Sequence, residues 1–85
     1  MDKMKNVYDD NNTIKLSKIE LELLDKEESF ELVTQGKRNF VYRYVPLDVM
    51  IPIQEFNGNY HILFNPNYEK AIKAIDKIKE ITKYN

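Results

Sequence analysis

A chain of 85 residues without a single cysteine has one small core at its disposal and neither a disulfide nor a thiolate metal site to reinforce it, so packing alone must hold it. Its net charge of −1 is unlike the strongly basic balance of most nucleic-acid-binding folds, and its two glycines, Gly36 and Gly58, both sit in turn-like contexts, which excludes a phosphate-cradling loop. A fold this small rests on roughly 0.05–0.15 kcal/mol per residue, leaving little surplus for a strained, desolvated active site.

Residues 1–12 lack hydrophobic periodicity, and Asp9-Asp10-Asn11-Asn12 is a turn-forming cluster, so this segment reads as a loosely held N-terminal arm. From Ile19 to Leu23 the alternation Ile-Glu-Leu-Glu-Leu has the period of a half-buried strand. A helix from Ser17 to Glu28 competes, because Ser17-Lys18-Ile19-Glu20 is also a capping box and Leu, Glu and Lys are good helix formers. The cleaner period-2 fit favours the strand.

Phe30 to Thr34, a loop Gln35-Gly36-Lys37-Arg38-Asn39, and Phe40 to Val45 read as a hairpin. In its second strand Phe40, Tyr42 and Tyr44 share one face while Val41, Arg43 and Val45 share the other. Pro46 ends it, since proline cannot donate to a ladder. Val49 to Phe56 is extended, with Pro52 implying an edge, a bulge or a strand start. Asn57-Gly58 suits a type I′ turn, and Tyr60 to Phe64 returns. Asn65 followed by Pro66 matches an N-cap and first helical residue, opening a C-terminal helix over 66–84 whose stripe is Ala71, Ile72, Ala74, Ile75, Ile78 and Ile81. The expected fold is therefore α+β, one domain over 1–85: an antiparallel meander of four or five strands with one C-terminal amphipathic helix packed across one face. Its expected core is Ile19, Leu21, Leu23, Phe30, Leu32, Val41, Ile53, Ile62, Phe64, Ile72, Ile75 and Ile78.

Charge is unevenly spread: residues 1–34 hold nine acids against five Lys, residues 35–65 three bases against two acids, and residues 66–85 five Lys against three acids. Such asymmetry suits a two-faced surface. Asp9 to Glu20 places oxygen side chains as in a calcium-binding EF-hand loop, but Ile14 stands where that loop needs glycine, so no metal site is assigned. His61 is the only histidine, and neither a paired-imidazole metal site nor a triad can be assembled around it. The Glu20/Glu22 and Glu27/Glu28 pairs are interspersed with Lys18 and Lys26, as on a solvated face. No catalytic residue and no cofactor follows, and the chain is read as no enzyme.

What remains is a surface. Lys37, Arg38, Tyr42, Arg43, Tyr44 and Tyr60 are the candidate partner-binding residues, because Tyr and Arg are favoured at binding hot spots. The leading expectation is a small non-enzymatic protein-binding factor, an inhibitor or accessory protein of phage or mobile-element origin, which fits the many Asn, Lys, Ile and Tyr residues. The alternative is a nucleic-acid-binding module that stacks bases on Phe40, Tyr42 and Tyr44 and neutralises phosphates with Lys37, Arg38, Arg43 and the helix lysines. An unpaired edge strand would also allow a homodimer. Residues 1–6 lack the apolar run of a signal peptide and no segment approaches the ~20 apolar residues of a membrane span, so a cytoplasmic protein is expected, in the host cytoplasm if viral, with no membrane partner.

Overall fold

The computed structural model describes residues 13–83. The N-terminal arm over 1–12, with the first acidic positions of the EF-hand-like run, and the last residue expected of the C-terminal helix lie outside them.

Five strands and two helices follow in the order β1 (Thr13–Leu16), α1 (Lys18–Asp25), β2 (Phe30–Gln35), β3 (Asn39–Tyr44), β4 (Val49–Phe56), β5 (Asn59–Leu63) and α2 (Glu69–Thr82). Strands β2 to β5 form the expected antiparallel meander, and β1 adds beside β5, giving the order β1-β5-β4-β3-β2. Because every neighbouring pair is antiparallel, β1 and β2 run parallel at opposite edges, and α1 carries the chain across between them.

One sheet face is the core. Ile14 and Leu16 of β1, Phe30 of β2, Tyr42 of β3, Val49, Ile51 and Ile53 of β4 and Ile62 of β5 are buried with Leu21 and Leu24 of α1 and Ala74, Ile75 and Ile78 of α2. Both helices therefore lie on the same side. The expected C-terminal helix across one face is present, and Ala71 and Ala74 are small enough to let its axis approach the sheet.

Ile19 to Leu23 is helix, not strand. Ser17 closes the capping box in both directions: Glu20 N–H donates to Ser17 Oγ at 3.2 Å, and Ser17 N–H donates to Glu20 Oε1 at 2.8 Å. With α-helical geometry Leu21 and Leu24 turn inward, whereas Ile19 is 70% and Leu23 42% exposed. The strand alternation was real, but two of its three aliphatics serve no core. The period-2 signal that does make a strand lies just before it, in Thr13-Ile14-Lys15-Leu16, where Ile14 and Leu16 are buried.

The expected core needs further correction. Leu32 is exposed because it lies on the edge strand β2, and Val41 is half-buried on the opposite sheet face. Phe64 and Ile72 are only partly buried, while Phe30, Leu21, Ile53, Ile62, Ile75 and Ile78 are buried as expected. Helix α2 begins at Glu69 rather than Pro66. Asn65 Oδ1 accepts from Asn67 N–H at 2.9 Å and Tyr68 N–H donates to the Asn65 carbonyl at 3.1 Å, so Asn65 and Pro66 build a turn ahead of the helix. Asn57 (φ 54°) and Gly58 (φ 80°) form the left-handed pair that the β4–β5 hairpin needs.

Candidate functional site

Strand alternation decides what each face can do. Phe40, Tyr42 and Tyr44 are opposite Ile53, Ile51 and Val49 in β4, so all three rings point to the helix side. Tyr42 is 3% exposed, and its hydroxyl donates to Asp25 Oδ1 at 2.9 Å. Desolvation of the phenol, followed by that hydrogen bond and the carboxylate charge, pushes its pKa well above the usual tyrosine range. Tyr44 packs on Phe30 with ring centroids 4.9 Å apart, and Tyr60 meets Phe40 edge-on at 5.9 Å. The three tyrosines among the candidate residues are thus packing residues first.

The basic candidates go elsewhere. Arg43 projects from the opposite sheet face, where Nε and Nη2 donate to Glu31 Oε1 at 3.0 and 2.8 Å and Nη1 donates to Asp48 Oδ1 at 3.0 Å. The hydrogen bond to Glu31, then that to Asp48, raises the guanidinium pKa above its already high value. Lys37 and Arg38 are exposed in the β2–β3 loop at the other end of β3, with Arg38 Nε 3.9 Å from Glu55 Oε1. The six candidates do not converge on one patch.

The face from which Arg43 projects holds further residues that sequence reasoning passed over. Opposite the helices, β3 presents Val41 and Arg43, β4 presents Met50, Pro52 and Gln54, and β5 presents His61 and Leu63. Both described helices belong to the other side, so no described element covers this one. Met50 is 50% and Leu63 38% exposed. A signal existed: Met50, Pro52 and Gln54 alternate with Val49, Ile51 and Ile53, so a strand with apolar residues on both sides was legible.

Pro52 shapes this face. Glu55 N–H donates to the Arg38 carbonyl in the direction of β3, so by alternation the position of Pro52 would donate toward β5, and it has no hydrogen to give. The β4–β5 register runs from Phe56↔Asn59 to Ile53↔Ile62 and stops short of Pro52, although β5 continues to Leu63, paired with Thr13 of β1. A shallow depression of about 300 Å³ opens there, with Val41, Pro52, Gln54, His61 and Leu63 among its walls.

His61 is the one titratable side chain among the walls of the depression. His61 stands between Lys15 and Gln54 across its two ladders, with the Phe56 ring 6.1 Å away. Among the described residues no group of three or more His, Asp or Glu side chains could hold a metal ion, and no helix is long and apolar enough to cross a membrane. What the face offers is contact area: apolar side chains at its centre, an Arg43–Glu31–Asp48 cluster at one end and the amide of Gln54 beside the depression. Comparison with protein-family models, curated proteins and solved structures finds no match to this chain.

Proposed function

We propose that this is a non-enzymatic protein-binding factor whose working surface is the uncovered sheet face. One observation carries the reading: Val41, Met50, Pro52 and Leu63 form an apolar centre on a face that no described helix covers, in a chain whose opposite face already holds a complete core. Contiguous apolar surface left in water is a cost that an isolated domain avoids, and a binding surface is the ordinary reason to keep it. A small domain of this kind acts as an inhibitor or accessory factor, occupying a surface of its target rather than transforming a substrate.

The nucleic-acid alternative loses its best support to the same geometry. Tyr42, Tyr44 and Phe40 pack against the core and offer no stacking platform, and Arg43 already holds two carboxylates.

The test is capture from the source-cell lysate by the immobilised protein and by a Met50→Asp/Leu63→Asp variant, after confirming equal melting temperatures. The wild type is expected to retain a protein that the variant releases. Retention by both alike, or elution of nucleic acid that weakens steeply with salt, would sink the reading.

A further inference from the structure

Strand β2 ends the sheet, and among the described residues no strand pairs with its outer edge. Val45 N–H donates to the Ser29 carbonyl and Gly36 N–H to the Asn39 carbonyl, so alternation turns the backbone groups of Glu31 and Thr34 toward β3 and those of Phe30, Leu32 and Gln35 outward. Phe30 N–H donates to the Glu27 carbonyl, which leaves the N–H and C=O of both Leu32 and Gln35 to meet a further strand. Natural edges are commonly blunted by lysine, proline or brevity. The other edge strand, β1, has four residues and carries Lys15, whereas β2 has six with neither Lys nor Pro and exposes Leu32 and Val33.

This edge is complementary to its own reverse. The bulge between Leu32 and Thr34 discourages a regular strand from adding. A second copy running antiparallel meets it differently, because a two-fold axis normal to the sheet between Val33 and Thr34 sets Leu32 against Gln35 of the second copy twice over. Both strands then carry the same irregular spacing, and reciprocal backbone bonds form at both places. Leu32 and Gln35 are paired with Tyr42 and Phe40, whose rings lie on the helix side, so the pleats of the two copies agree. Charge agrees as well. Asp25, Glu27 and Glu28 precede β2 with Lys26 as the one opposing charge, and Lys37 and Arg38 follow it with Glu55 3.9 Å from Arg38 Nε. Glu31, between them, is held by Arg43. Reversal brings the acidic end of each edge to the basic end of the other.

We propose that two copies of this chain join through antiparallel β2 edges, with Leu32 opposite Gln35 of the second copy and Glu28 beside its Arg38, so that their five-stranded sheets become one. The two uncovered faces then lie on the same side and stay open, so this contact goes beyond the protein-binding reading and does not compete with it.

Sedimentation velocity on the full chain from ~10 μM to ~1 mM tests it, across the range where a weak interface titrates. The weight-average mass should rise from 10.2 kDa toward twice that value, and hydrogen exchange at the Leu32 and Gln35 amides should slow over the same range. Glu28→Arg and Arg38→Glu should each move the rise to severalfold higher concentration, and the double variant should restore it. Leu32→Pro removes a donor that β3 does not use and should abolish the rise, while Met50→Asp on the uncovered face should leave it intact. A monomer mass at every concentration, a double variant no better than the single ones, or a rise lost on Met50→Asp overturns the proposal. The charge-swap series decides it even where Leu32→Pro fails to fold.

Discussion

The Tyr42 hydroxyl donates to Asp25 across 2.9 Å, and so ties the middle of β3 to the last residue of α1. The ring is buried while Asp25 is exposed, so the bond sits where the core meets water. Tyr42→Phe keeps the packing and removes the donor, and Asp25 can then be re-hydrated, so the expected cost at neutral pH is about 1–2 kcal/mol. Alkaline pH provides a sharper test. The folded-state pKa is raised above the ordinary value of 10.0, so the contribution is complete below pH 10. Above it the unfolded chain ionises first, and stability falls by up to ~1.4 kcal/mol per pH unit until the folded phenol also titrates. Urea midpoints of wild type and Tyr42→Phe should converge between pH 9 and 11; parallel curves would contradict the account.

The orientation of α1 makes neighbouring residues unequal. Leu24 is fully buried and Ile19 largely exposed, so Leu24→Ala should cost about 2–5 kcal/mol and Ile19→Ala no more than about 0.5 kcal/mol. Ser17→Ala, which removes the acceptor for Glu20 N–H, should cost about 1 kcal/mol. Denaturant unfolding of the three variants measures this. A larger loss at Ile19 than at Leu24 would instead suit a strand, whose alternation sends the two residues to opposite faces.

The contrast between these residues also marks how far the sequence could be read. Periodicity located β3, β4, β5 and α2, because each has several apolar residues at a consistent spacing and a clear boundary in Pro46, Asn57-Gly58 or the Asn65-Pro66 turn. At Ile19 to Leu23 two periods fitted, and tertiary packing chose the one in which Ile19 and Leu23 stay wet. Strand β1 was missed because four residues carry too short a pattern, and its partner β5 is over forty residues away in the chain. The candidate site failed for a related reason. Aromatic and basic residue types on β3 suggested a surface, but alternation assigns Tyr42 and Arg43 to opposite faces, and only the location of both helices tells which face is free.

Gly58 has φ 80° and open space where a Cβ would stand, so any penalty for Gly58→Ala is conformational rather than steric with a neighbour. The left-handed region costs a residue with a Cβ about 1–2 kcal/mol, and that is the expected loss. Gly36 has no such φ, and its Cβ would meet only the Asn39 carbonyl oxygen at 3.6 Å, so Gly36→Ala should lie within about 0.5 kcal/mol of wild type. Thermal melts of the two variants should therefore separate, with Gly58→Ala the lower.

Arg43 joins Glu31 of β2 to Asp48 of the β3–β4 turn, and Asp48 itself is held at φ 55°. The cluster is solvent-exposed, where water screening and side-chain entropy offset most of an ion pair's attraction, so Arg43→Met should destabilise the fold only slightly. Salt then discriminates: ~0.5 M NaCl should narrow the gap between wild type and variant, because screening weakens what the variant lacks. The same substitution bears on the surface. With both carboxylates already engaged, Arg43 is poorly placed to meet a phosphate, so oligonucleotide affinity measured by fluorescence anisotropy at low salt should be unchanged by Arg43→Met. A tenfold fall in that affinity would show that the guanidinium leaves Glu31 and Asp48 for a nucleic-acid backbone, and would return β3 to the basic reading its composition first suggested.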